Sequence, residues 1–204
     1  MKSNFDHTQE EELKSWLIED PLIREDKAQR ERIRYPYLKK QMGIDSLDTS
    51  KMLVWDIGGG PLGGVSSILK CRQSFVIDPL ADEYKKYYPL WNGIAQKAEE
   101  LKEKLAAPDL IIITNALDHF DNPIQFLKDL NEYTKYSVYI AMLHAENNAF
   151  THPHEAHQHN VNPEMIRQYL TNFEVVWEMN YLRDGLTYGW RRQPAHSQLL
   201  RKVC

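Results

Sequence analysis

The spacing of hydrophobic residues changes near position 50, and that change divides the chain. Before it, residues 8–42 carry many charges and no glycine. Leu13, Trp16 and Leu17 recur at helical spacing, with Thr8 as a candidate cap and Pro21 as a candidate stop. A second helix is predicted from Ile23 to Met42, with Pro36 expected to kink or divide it. The charges from Arg24 to Arg34 read as its solvated face, and Gly43 to Ser50 as a loop.

From Lys51 onward the apolar positions gather into short runs. Met52 to Ile57, Ser74 to Ile77, Asp109 to Thr114, Ser137 to Leu143, Phe173 to Met179 and Ser197 to Lys202 read as strands. Between them, helices are predicted to begin at Gly64 to Lys70, to cover Ala81 to Tyr88, and to open at Asn122-Pro123 and Asn162-Pro163. The run Asp109-Leu110-Ile111-Ile112-Ile113-Thr114 is nearly continuous, as a parallel strand covered on both faces must be. Strands alternating with helices predict an α/β, doubly wound, mostly parallel sheet. The N-terminal 1–48 forms a helical extension to a main domain over 49–204.

Composition agrees with this and narrows the partners. The 204 residues are 42% hydrophobic and 26% charged, ordinary values for a globular chain. A net charge of -4 offers no general attraction to nucleic acid or to an anionic membrane surface. Two cysteines, Cys71 and Cys204, make no disulfide framework, so a reducing cytoplasm is the expected compartment. The N-terminus has no apolar signal core, and no stretch reaches membrane-spanning length. Nothing in the composition opposes a homodimer.

Chemistry concentrates first in a glycine loop. Five of the nine glycines fall within Gly58-Gly59-Gly60-Pro61-Leu62-Gly63-Gly64, directly after the first strand. Such a turn lets a ligand approach the backbone closely. The spacing fits the dinucleotide pattern formally, yet Asp56 at the strand end would repel a pyrophosphate and suit a cation. Pro61 also removes one N–H donor. Asp78, about 20 positions after the first glycine, ends the second strand before Pro79 and can accept bonds from two ribose hydroxyls. It equally fits a turn-starting aspartate. Polar Asn115, Asp118 and His119 follow the strand that ends at Thr114, at the sheet edge where open α/β folds bind ligands.

Asp56-Ile57-Gly58-Gly59-Gly60 resembles motif I of the class I S-adenosylmethionine-dependent methyltransferases, and Asp109 to His119 resembles their motif IV. The resemblance spans about Lys51 to Lys202. It implies a Rossmann-like, seven-stranded sheet with an N-terminal helical cap, and S-adenosylmethionine as cofactor. Asp56, Gly58, Gly59, Gly60, Asp78, Pro79, Ala98, Glu99, Asn115 and Leu117 would then contact that cofactor, whose ammonium and sulfonium suit an acidic turn. Trp16, Tyr35 and Tyr37 would face inward if the N-terminal helices form a lid. The family's nucleic-acid-modifying members carry a Pro-Pro-aromatic element where this chain has Asn115-Ala116-Leu117-Asp118, so a small-molecule acceptor is expected.

Five of the eight histidines lie between His144 and His159. Histidine exchanges protons near neutral pH, and a hydroxyl acceptor needs a base. His119 with Asp118, His144 and His154 are the candidate catalytic residues. His152-Pro153-His154 resembles an element of some small-molecule methyltransferases in which a histidine faces the acceptor. The expected activity is methyl transfer to a small-molecule hydroxyl, on a sugar or natural product, with a histidine general base. Three other readings stay open: an NAD(P)-dependent oxidoreductase on the same loop, a non-catalytic cofactor- or metal-binding protein, and a merely polar loop. His152, His154, His157 and His159 have spacings that a zinc ion could use, although no metal is assigned. Tyr188 to His196 reads as a hairpin turn before the last strand, with Arg191 and Arg192 able to hold an anionic group.

Overall fold

The computed structural model describes residues 4–88, 93–100, 106–133, 138–145, 159, 161–183 and 193–203. The apolar runs become seven strands: β1 (Leu53–Ile57), β2 (Gln73–Ile77), β3 (Gly93–Ile94), β4 (Leu110–Thr114), β5 (Tyr139–Ala145), β6 (Phe173–Arg183) and β7 (Gln193–Lys202). They form one sheet in the order β3-β2-β1-β4-β5-β7-β6. The first five pair in parallel, and β7 lies antiparallel between β5 and β6. Strand order reverses between β1 and β4, which opens a crevice beyond their carboxyl ends.

Alternation along the strands divides the core. Trp55, Ile57, Ile111, Ile113, Ile140 and Met142 pack on one face with Phe126 and Leu127 of helix α4 (Pro123–Tyr133) and Ile166 of helix α5 (Pro163–Tyr169). Val54, Leu110, Ile112, Ala141, Leu143 and Leu199 pack on the other. There they meet Ala28, Tyr35 and Leu38 of the long N-terminal helix α2 (Pro21–Gln41). Four fully buried isoleucine and leucine side chains on β4 (Leu110, Ile111, Ile112, Ile113) bridge both layers. At about 1.5–3 kcal/mol for each large apolar side chain, this strand is the centre of the fold.

Several local expectations are corrected. Helix α1 (Asn4–Trp16) already includes Thr8, so it starts before the expected cap position. Pro21 starts α2 instead of stopping α1, because Asp20 is its N-cap and accepts the amides of Leu22 (2.8 Å) and Ile23 (3.4 Å). Proline's fixed φ suits that first helical position. Pro36 lies inside α2 without ending it. The charged face is solvated as expected, with exposed pairs such as Arg30–Asp26 at 3.0 Å. Tyr35 is buried and Trp16 half-buried, but Tyr37 is 65% exposed and faces away from the sheet.

Gly64 to Lys70 form a single 3-10 turn (Val65–Ile68), not the start of a long helix. Parallel strands ordinarily need a covering helix between them; here α2 covers that face. Ala81 to Tyr88 likewise contains one short helix, α3 (Ala81–Tyr84), followed by turns. The last strand starts at Gln193, so His196 lies inside β7 and not in a preceding turn. Among the described residues no helix is long and apolar enough to cross a membrane.

Candidate active site

The glycine loop sits at the strand-order reversal, and each glycine has a different reason to be there. A Cβ on Gly58 would lie 2.3 Å from the Ala116 Cβ, and its φ is +69°. The loop therefore needs glycine where the ends of β1 and β4 touch. Gly60, at φ +65°, has nothing within 4 Å of the Cβ position. Its amide donates to Asp78 Oδ2 at 3.1 Å. Gly60 thus presents bare backbone to open space beside a carboxylate, which is the arrangement a nucleoside needs for close approach.

Asp78 also accepts the Leu80 amide on Oδ1 at 2.9 Å, the turn-starting role foreseen from Pro79. Burial pushes its carboxyl up to about 6, against those two hydrogen bonds, with the Glu12 carboxylate of α1 adding to the rise. Two amide bonds leave lone pairs on both oxygens for further donors. Tyr84 is fully buried nearby, and its hydroxyl has no hydrogen-bond partner among the described residues. Neither Glu12 nor Tyr84 carries a motif, so neither was singled out from the sequence.

Asp56 points into the loop and not into the open space. It is fully buried, and its Oδ2 accepts the Ser66 amide at 2.7 Å. Its Oδ1 is buried with no hydrogen bond among the described residues. Burial pushes the carboxyl up to about 7, opposed by the Ser66 bonds and raised further by the charge of Asp78.

Across the reversal, Asn115 directly follows β4 with φ +53°, the one non-glycine residue with positive φ among the described residues. Asparagine tolerates this better than most residues, at about 1–2 kcal/mol. Its amide donates to Leu143 O at 2.8 Å, tying the end of β4 to β5. The next residues make a 3-10 turn, Leu117–His119. Leu117 and Ala98 are buried in the apolar core, so only their backbone is available to a ligand. Glu99 lies in the turn Ala98–Glu100, and its side chain is outside the described residues.

The same turn brings Asp118 and His119 together. His119 Nε2 stands 3.7 Å from Asp118 Oδ1, within ion-pair range but beyond hydrogen-bond length. His144, near the end of β5, is 3% exposed. Burial lowers its pKa to about 4, against the pull of Asp118, and His196 lowers it further. The ring is therefore neutral at physiological pH, and its Nε2 has no hydrogen-bond partner among the described residues. His154, His152, His157, Arg191 and Arg192 lie outside the described residues. Among the described residues, no group of three His, Cys, Asp or Glu side chains is placed to hold a metal.

The buried polar residues of the antiparallel strands are what sequence reading missed. His196, Ser197 and Gln198 of β7 are all buried. Gln198 Nε2 donates to Glu178 Oε1 at 2.9 Å, and Ser197 Oγ donates to Gln41 O at 2.7 Å.

No protein-family model matches the sequence, and no curated protein is detectably similar to it. Solved structures are similar in fold. The N-methyltransferase NodS from Bradyrhizobium japonicum WM9, crystallised with S-adenosyl-L-homocysteine, is 15% identical; the match covers 99% of this chain and 100% of NodS at a TM-score of 0.65. A SAM-dependent methyltransferase from Methanosarcina mazei is 14% identical, over 78% of this chain and 96% of that one, at a TM-score of 0.60. Coclaurine N-methyltransferase bound to N-methylheliamine and S-adenosylhomocysteine is 11% identical, over 82% and 70%, at 0.57. With its strand order and its glycine turn at the strand reversal, the chain has the Rossmann-like fold of the class I S-adenosylmethionine-dependent methyltransferases.

Proposed function

We propose that the protein is an S-adenosylmethionine-dependent methyltransferase acting on the hydroxyl of a small molecule. The observation that carries the cofactor half is the open backbone of Gly60 beside Asp78, at the crevice between β1 and β4. The residues present fit that group. Asp78 has lone pairs for the two ribose hydroxyls, and Gly60 leaves the space that a side chain would fill. Gly58 and Gly59 shape the turn after β1 and Pro79 the one after β2, while Ala98, Glu99, Asn115 and Leu117 would line the crevice through their backbone. Asp56 holds the loop through Ser66. Bound S-adenosylmethionine would supply an electrophilic methyl group on a sulfonium.

The chain's own residues then align and deprotonate the acceptor. Alignment supplies much of the rate in a displacement of this kind. His144 is neutral, so its Nε2 can take the hydroxyl proton as the oxygen attacks, and Asp118 stabilises the resulting imidazolium. His119 at the β4 end and His154 beyond β5 are the other candidates for contact with the acceptor. In this reading α2 is one layer of the main domain and α1 the true cap, with Glu12 near the Asp78 carboxylate that would bind the ribose. A cytoplasmic setting goes with the two-cysteine composition.

A second reading is an amine acceptor, which the N-methyltransferase activity named for NodS and coclaurine N-methyltransferase favours. An amine needs its lone pair freed, and Asp118 with neutral His144 serves that too. Release of S-adenosylhomocysteine in a screen of matched alcohols and amines separates the two. Turnover of alcohols that falls sharply in His144→Gln supports the first, and turnover of amines alone overturns it.

A further inference from the structure

Beyond the residues that face the crevice, a polar ladder runs across the three C-terminal strands, buried at its two histidines and exposed at Asn180. His144 of β5 stands directly opposite His196 of β7, which stands opposite Asn180 of β6. Side chains opposed in this way lie about 4.5–5.5 Å apart at Cβ. Both histidines are 3% exposed. The His196 ring has an oxygen on each side: Nδ1 contacts Asn180 Oδ1, and Nε2 lies 3.1 Å from Glu178 Oε1, an ion-pair distance without hydrogen-bond alignment.

Amide and carboxylate oxygens both accept, and a neutral imidazole has only one N–H to give. Glu178 is secured as a carboxylate. Burial pushes its carboxyl up, but bonds from Gln198 and Arg167 and the nearby His196 hold it below the ordinary range. The Arg167 bond from α5 is 2.7 Å and the Gln198 bond is 2.9 Å. The described charged and titratable groups facing the pair are thus Glu178 and Arg167 beside His196, and Asp118 beside His144.

We propose that His196 is a positioning residue that carries the proton of the His144–His196 pair, held by Asn180 at Nδ1 and by the Glu178 charge beside Nε2, and so keeps His144 free to accept one. Two cations this close in a buried site repel, and interacting groups titrate as a unit. Asp118 draws a proton toward His144, while the charge on His196 opposes it. The outcome is division of labour between two like side chains, one charged and fixed, one neutral and reactive. The charge on His196 also drives the proton off His144 once the methyl group has moved. The inference rests on His144 being the base, but the state of the pair is measurable without turnover.

Histidine ring 15N spectra of the full-length protein, followed from about pH 3 to 8, read both residues. His196 should show two protonated nitrogens near neutrality, while His144 stays neutral. In His196→Gln the His144 midpoint should rise by about one unit or more, and the acid limb of kcat/KM should rise with it. Glu178→Gln should let His196 lose its proton and move His144 the same way. A neutral His196 in the unmodified protein overturns the proposal even if neither variant folds. So does an unmoved His144 midpoint in a folded variant. His144→Gln separates this from the base assignment: full turnover there removes the base while leaving the spectra of the pair to stand on their own.

Discussion

Asp56 and Gly64 face each other inside the glycine loop so closely that a Cβ on Gly64 would lie 2.5 Å from the Asp56 Oδ2. Ser66, two residues on, gives its amide to that same oxygen. The loop is folded around a buried carboxylate, and only its far side, at Gly60, is open.

That contrast predicts different failures at two glycines. Gly64→Ala adds a contact that cannot relax to a φ of +58°, so it should lower stability by at least about 2 kcal/mol. Gly60→Ala meets nothing and bears only its positive φ, at about 1–2 kcal/mol. Gly60→Ala should nevertheless weaken S-adenosylhomocysteine binding about tenfold or more, since its methyl enters the space reserved for the ligand. Urea unfolding and calorimetry on both variants check the pattern.

Asp56 and Asp78 make stability depend on pH in an uncommon direction. Burial raises both folded-state values, to about 7 and about 6, above the unfolded 3.8. The folded protein therefore binds these protons more tightly than the unfolded chain. Their contribution is full below about pH 4 and is lost as pH rises through 6 and 7. Asp56→Asn keeps an oxygen for the Ser66 amide and should flatten that slope, leaving the share due to Asp78. Midpoints of urea unfolding across this range report it, and an unchanged slope contradicts the burial argument.

Much of the fold could be read from residue spacing because β1, β4 and β5 are apolar on both faces and leave little ambiguity. The helix starts at Asn122-Pro123 and Asn162-Pro163 were equally legible, since Pro at the first helical position has one meaning. Pro21 had two, and only Asp20 accepting the Leu22 amide selects the start over the stop. The helix expected after Gly64 is missing because α2, remote in sequence, fills its place; local pattern carries no trace of that. In the site, glycines and Asp78 stand out by type and spacing. Glu12, Tyr84 and His196 do not, because their meaning comes from neighbours brought in by the sheet.

The packing of β6 on the end of α2 gives a separate test of the fold. Trp177 donates Nε1–H to Gln41 O at 3.0 Å, and its Cγ lies 2.6 Å from where a Gly43 Cβ would be. Gly43→Ala should destabilise the protein by about 2 kcal/mol. Trp177→Ala removes the obstruction, so the double variant should cost less than the sum. Additive losses would show that the two do not touch.

His144→Gln should lower kcat by about 10²–10⁴-fold, the range for loss of a general base, with KM changed far less. His119→Gln should act more on KM if that ring positions the acceptor. Steady-state kinetics with the acceptor found by screening distinguishes them.

The central claim is the identity of the cofactor, and calorimetric titration of the purified protein with S-adenosylhomocysteine tests it most directly. Binding at the micromolar level is predicted, weakened at least about tenfold by Asp78→Ala, with no comparable heat from NAD. Binding of NAD at that level, with none of S-adenosylhomocysteine, would contradict the account.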